Sequence, residues 1–259
     1  MDPHGTDVGS LIWPGPEPPF MARELAPGVW LLDVGLVPPL ATNAFLLDGR
    51  EAPDGGADGS VTLVDTGLWR NRPTLLGELA EAGYEAADVD RVCMTHYDLD
   101  HVTGLGRLLD AGFEGPVHMG RRDVELVRGE WDPPLLHHKG AFHRVARRLY
   151  DFEGADLRPV DHGDRFAGLT AFHTPGHNHG HTVFVHEGLS AACLGDLVWE
   201  QDGRLTPPFW LDSYEMRAIR ESIRRFDGEA PEFEVAAVAH GTPFVSGGRG
   251  AVRELVAAL

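Results

Sequence analysis

Residues 91–112 read RVCMTHYDLDHVTGLGRLLDAG, and the fold is decided by what stands in their middle. RVCMT is short, apolar and β-branched, as a buried strand is, while the residues from about 102 to 111 carry leucines at helical spacing and end on Gly112. Between them His96, Asp98, Asp100 and His101 crowd four metal-competent side chains into six positions. A strand-to-helix loop is where a scaffold presents groups that need not serve its core.

The same arrangement recurs downstream. His177 in HTPGHNHGH, Asp196 in CLGDLVWE and His240 in AVAHGTP each follow a strand-like run, so all could be presented at one edge of a sheet. Upstream, GVWLLDVG and NAFLLDG predict an antiparallel meander. EAPDGGADGS (51–60) joins it to VTLVDTG as a hairpin loop. It is no phosphate cradle, since neither a helix nor Gly-Lys-Ser/Thr follows.

A helix is expected over about 72–82, capped by Asn71 and stopped by Gly83, with others near 121–128 and 139–151. Strands are expected at PVHM, LTAFH, TVFVH, SAACLG and EVAAVAH. Met216, Ile219, Ile223 and Phe226 mark an amphipathic helix, and a last helix closes the chain. Helices falling between groups of strands imply two sheets with helices outside. Residues 1–22 hold five prolines without apolar periodicity and read as an irregular arm; 23–259 reads as one domain.

Composition narrows the function. The formal net charge of -18 over 259 residues, with a single lysine, Lys139, among 22 basic residues, repels phosphate backbones and argues against nucleic acid. The basic run HHKGAFHRVARR (137–148) reads as the solvated face of a surface helix. No long apolar run and no signal-peptide pattern occurs, so a membrane is not expected as a partner and the location is expected to be cytoplasmic. Cys93 and Cys193 sit in apolar runs as small buried thiols.

Taken together, the motif and the later His, Asp and His resemble the metallo-β-lactamase superfamily, whose pattern is His-x-His-x-Asp-His followed by a single His, a bridging Asp and a final His. The resemblance runs from about residue 24 to the end. It implies an α+β, four-layer αββα sandwich of two mixed β-sheets with outer helices. It also implies two divalent metal ions held by His96, Asp98, Asp100, His101, His177, Asp196 and His240, with Asp196 bridging and Asp100 and Asp196 serving catalysis. Asp65 in LVDTG matches the family's early aspartate, which braces the metal loop. Asp98 departs from the pattern, standing where relatives have histidine; as a ligand it would lower the formal site charge by one and admit iron or manganese beside zinc.

The implied activity is a metal-dependent hydrolase using a metal-bound hydroxide on a small ester-like substrate such as a lactone or thioester. The alternatives are a di-iron redox enzyme of the flavodiiron-related type, suggested by the carboxylate at 98, and a β-lactamase or phosphodiesterase type of hydrolase. The expected partner is a small molecule, and a homodimer is compatible with the sequence. His179 and His181 are expected beside the ligands rather than among them. His118, His162, His173 and His186 are expected at strand ends or in solvent. His137, His138 and His143 fall where related enzymes build substrate lids, function and exposure both open. Tyr214 is expected to pack on the core.

Overall fold

The structure, a computed structural model, describes residues 22–34, 42–53, 59–69, 74–150 and 152–259. Its first sheet keeps chain order: β1 (Arg23–Ala26), β2 (Val29–Asp33), β3 (Asn43–Asp48), β4 (Val61–Val64), β5 (Arg91–Met94), β6 (Pro116–Gly120) and β7 (Asp156–Val160). The β1 to β4 pairings are antiparallel and those from β4 to β7 parallel. A second sheet has the order β14 (Val235–Val238), β11 (Ala191–Gly195), β10 (Thr182–His186), β9 (Leu169–His173) and β8 (Arg165–Phe166), with only β11 and β14 parallel. Strands β12 (Trp199–Gln201) and β13 (Arg204–Thr206) form a separate hairpin.

Period-2 alternation sorts the strand residues into layers. Leu31, Phe45, Leu47, Val64 and Cys93 meet Ala171, Phe184, Ala191, Cys193 and Ala237 between the sheets. Their neighbours Leu32, Leu46, Leu63 and Val92 face the other way. That outer face packs with buried residues of α1 (Leu75–Glu81), α2 (Leu99–Val102), α3 (Leu105–Asp110), α4 (Arg121–Val127) and α5 (His138–Leu149). Val183, Val185, Leu194 and Val238 pack with Ile219, Ile223 and Phe226 of α6 (Met216–Glu229) and with Val252 and Leu255 of α7 (Gly248–Ala258). The result is the expected αββα layering. Both cysteines are buried and free, as their apolar runs imply.

Local readings needed three corrections. The first helix begins at Leu75 with Thr74 as its cap, the Thr74 hydroxyl accepting from Gly77 N; the expected cap Asn71 lies outside the described residues, as do 1–21 of the arm and 54–58 of the hairpin loop. The helix expected over 102–111 is two helices. α2 already starts at Leu99, with Asp98 as its extended cap (φ -123°), so Asp100 and His101 ride on its first turn. It stops before Gly104, which packs so closely on strand β4's exit that a Cβ there would lie 2.1 Å from the Thr66 carbonyl oxygen. His118 lies inside strand β6, not at its end, and stacks on Phe166, whereas His186 is the last residue of β10, buried and accepting from Leu189 N.

Among the described residues no helix is long and apolar enough to cross a membrane.

Candidate metal centre

The C-terminal ends of β4, β5, β11 and β14 and the β9–β10 connection open on one edge of the sandwich. They deliver Asp65, His96, Asp196, His240 and His177 respectively, and α2 adds Asp100 and His101. Two groups form. Ligand atoms of His96, His177 and Asp196 lie within 4.8 Å of one another, and so do those of Asp100, His101 and His240.

Asp196 stands between the groups. Its Oδ2 is 3.4 Å from His177 Nε2 and 3.3 Å from His240 Nε2, and its Oδ1 is 3.7 Å from His101 Nε2. It is buried, and burial would raise its carboxyl, but His240 and then His177 outweigh burial and hold it well below the usual carboxylate range.

Hydrogen bonds behind the ligands fix which ring nitrogen faces inward. Asp65 accepts from Thr95 N (2.8 Å), Thr95 Oγ1 (2.7 Å) and His101 Nδ1 (2.9 Å). Because Thr95 Oγ1 donates to Asp65, it accepts from His96 Nδ1 at 3.0 Å. Both rings thus carry hydrogen on Nδ1, leaving Nε2 toward the centre. His181 steadies the third element: its Nε2 accepts from Asp196 N at 2.9 Å and its Nδ1 pairs with Thr174 Oγ1 at 2.8 Å, so it supports a ligand instead of being one.

Nature does not leave buried polar atoms unpaired without cause. His96 Nε2, His101 Nε2 and Asp196 Oδ1 are all buried and lack a hydrogen-bond partner, and they belong to the two groups just described. Imidazole nitrogen with carboxylate oxygen is the donor set of zinc, iron and manganese. The residues fit divalent ions.

Asp98 is placed differently from the other six residues expected as ligands. Its Oδ2 lies 3.3 Å from His96 Nε2 and 3.0 Å from His177 Nε2, yet it falls in neither convergent group. Lys139 Nζ sits 2.7 Å from Oδ2, and His143 Nε2 (2.7 Å) and Asn178 Nδ2 (3.1 Å) hold Oδ1. Burial would raise this carboxyl, but Lys139 foremost outweighs it and keeps it well below the usual range.

This corrects the reading of 137–148 as a solvated face: Lys139 and His143 are buried. His143 also pairs with the Tyr214 hydroxyl at 2.9 Å, and Tyr214 lies beside the rings of His137 and His179. Sequence reasoning passed over Lys139 as part of the centre and left the role of His143 open. Their i, i+4 spacing, which puts both on one helix face, was the available signal.

Burial would lower His101, but Asp100 and then Asp65 raise it to about 10; burial would lower His240, but Asp196 raises it to about 9. Both shifts express the pull of the surrounding carboxylates on positive charge, the same pull that a bound cation would feel.

Residues 37–239 match the family model described as the metallo-beta-lactamase superfamily. The probable metallo-hydrolase Rv2300c of Mycobacterium tuberculosis is 26% identical over 211 residues, covering 65% of this chain and 66% of that protein. Ribonuclease TTHA0252 of Thermus thermophilus is 32% identical over 148 residues, covering 54% of this chain; the match spans only 33% of the ribonuclease. Among solved structures, the metallo-beta-lactamase family protein TTHA1429 from Thermus thermophilus superposes with a TM-score of 0.61 at 25% identity over 91% of this chain and 80% of that one. TTHA1623, solved in a di-iron-bound form, gives 0.61 at 23% identity over 88% and 100% and speaks for the fold. With the sandwich, the edge on which the ligands converge and a family model spanning most of the sequence in agreement, the chain belongs to the metallo-beta-lactamase superfamily.

Proposed function

We propose that the protein is a dinuclear metal-dependent hydrolase of small ester-like substrates, lactones or thioesters, that carry an apolar body. The observation that carries this reading is Asp196, one carboxylate within reach of histidines from both ligand groups. His96, His177 and Asp196 would hold one ion, and Asp100, His101 and His240 with Asp196 the other. Such a pair of ions supplies Lewis acidity and lowers the pKa of water.

The chain's own residues do the rest. Thr95, Asp65 and His181 fix the ligand atoms, as the hydrogen bonds above require. A groove of about 980 Å³ opens on the centre, with Asp98, Asp100 and His240 among its lining. Leu68, Phe142, Trp199, Pro208, Phe209 and Trp210 supply apolar walls, of which Phe142, Phe209 and Trp210 are exposed. An exposed apolar rim over a polar floor suits an acyl or aryl group anchored beside the reacting bond.

Among the described residues lining that groove, Arg220 is the only lysine or arginine. One cation among aromatic walls, on a chain of net charge -18, is poor footing for a polyphosphate backbone, so the activity in the ribonuclease relative's name is not transferred here. The redox reading rested on Asp98 as an iron ligand, and the engagement of both its oxygens by Lys139, His143 and Asn178 speaks against it.

The test is a panel of lactones, thioesters, β-lactams and phosphodiesters on zinc-, manganese- or iron-loaded protein, without reductant. Ester or thioester turnover is expected, with kcat/KM rising about four-fold per added acyl methylene, since each buried CH2 is worth about 0.8 kcal/mol. Turnover that needs iron and an electron donor, or that favours phosphodiesters, would refute the proposal.

A further inference from the structure

Lys139 is the chain's single lysine and is only 4% exposed. Its ammonium donates to Asp98 Oδ2 at 2.7 Å, to the Asp212 carbonyl at 2.7 Å and to His177 Nε2 at 2.9 Å. An ammonium has three N–H groups, so these acceptors use all of them. The third acceptor matters most. His177 Nδ1 donates to Ser213 Oγ at 3.3 Å, because that hydroxyl spends its own hydrogen on the Phe209 carbonyl at 3.1 Å. In the neutral ring His177 Nε2 therefore carries the lone pair. Asp98 Oδ2 also lies 3.0 Å from it, and the ammonium, donating to both atoms, is what holds these two acceptors together. The lone pair that an ion in the first group would need is thus the one that Lys139 holds.

Asp98 keeps the lysine there. Its Oδ2 faces the ammonium while His143 and Asn178 fix its Oδ1, so the carboxylate cannot turn without breaking several buried contacts. Asp100, His101 and His240 face no such ammonium, since the chain holds no second lysine.

We propose that Asp98 acts as an anchor for Lys139 and not as a metal ligand, and that the anchored ammonium competes with a metal ion for His177 Nε2, making the His96, His177 and Asp196 group the weaker of the two. Lys139 is thus a positioning residue that sets metal occupancy: the Asp100, His101 and His240 group fills first, and the first group fills only when Lys139 gives up His177. This rests on the dinuclear reading above.

Zinc is titrated into metal-stripped wild type and Lys139→Met, and bound zinc is followed by calorimetry and by competition with a chelating dye. Wild type should show two separated steps. In Lys139→Met, which removes the charge but fills the space, the weaker step should tighten by about ten-fold or more, as expected when a cation beside the site is lost. A merely structural lysine would leave that step unchanged or loosen it, and either outcome overturns the proposal.

The wild type alone gives a second reading that needs no variant to fold. Lys139 is its only side-chain amine, so amine acylation located by peptide mass spectrometry reports on that residue. Its labelling rate should rise at least three-fold as the second zinc equivalent binds and stay flat during the first. No change during the second step overturns the inference. Uptake of two equivalents in one tight step overturns it while the dinuclear centre stands; no zinc uptake at all removes both.

Discussion

Asp196→Ala is expected to strip metal from both ligand groups, leaving well under one equivalent per chain after dialysis. The reason is geometric. Asp196 contributes to the His96 and His177 group, and it also lies 3.3 Å from His240 Nε2 and 3.7 Å from His101 Nε2. Losing a residue behind a ligand costs about 10- to 100-fold in affinity; losing a carboxylate shared by two ions should cost more than 100-fold at each, with hydrolysis falling at least in proportion. Asp100→Ala gives the contrast, because Asp100 belongs to one group only and its side chain is 27% exposed. That variant should lose about one equivalent and keep the other. Elemental analysis of both variants beside wild type decides the matter: retention of one full equivalent by Asp196→Ala would mean that the carboxylate serves a single ion.

Local pattern made much of this legible. The strands that build the two sheets are short apolar runs ending at turn residues, and the ligand candidates stand directly after them, so their convergence followed once two sheets were inferred. What escaped was tertiary. Strand β7, DLRPV, has a proline and an exposed aspartate, and its place at the sheet edge asks for no apolar run. The break between α2 and α3 depends on a close approach of Gly104 to Thr66, two segments far apart in sequence. The α5 charges looked like a solvated face because periodicity says which residues share a side of a helix, not what that side meets. Here it meets Asp98, and one buried carboxylate turned Lys139 and His143 inward.

Asp65→Asn should disarm both groups while leaving the chain folded, and the argument is about hydrogens. Asp65 is buried, adopts a left-handed φ of 60° and only accepts: Thr95 N–H at Oδ1, Thr95 O–H and His101 Nδ1–H at Oδ2. An asparagine of the same shape must put its NH2 at one of these oxygens. At Oδ1 it would meet the Thr95 N–H head-on, donor against donor, so the NH2 settles at Oδ2. His101 Nδ1 then has to accept, which moves its hydrogen to Nε2, the atom the metal needs. Thr95 Oγ1 must also accept from the amide, and its hydrogen turns toward His96 Nδ1, 3.0 Å away, with the same result for that ring. One isosteric change thus places N–H groups on two ligand atoms in separate groups. Zinc affinity at each group is expected to fall about 100-fold, the upper range for a residue behind the ligands, with secondary structure by circular dichroism unchanged. Nitrogen NMR of the histidine rings tests the cause directly, since it distinguishes Nδ1–H from Nε2–H. Asp65→Asn protein whose His96 and His101 keep Nδ1–H and bind zinc as wild type does would show that the tautomers are set elsewhere, and that Asp65 braces the loop by its backbone contact to Thr95 alone.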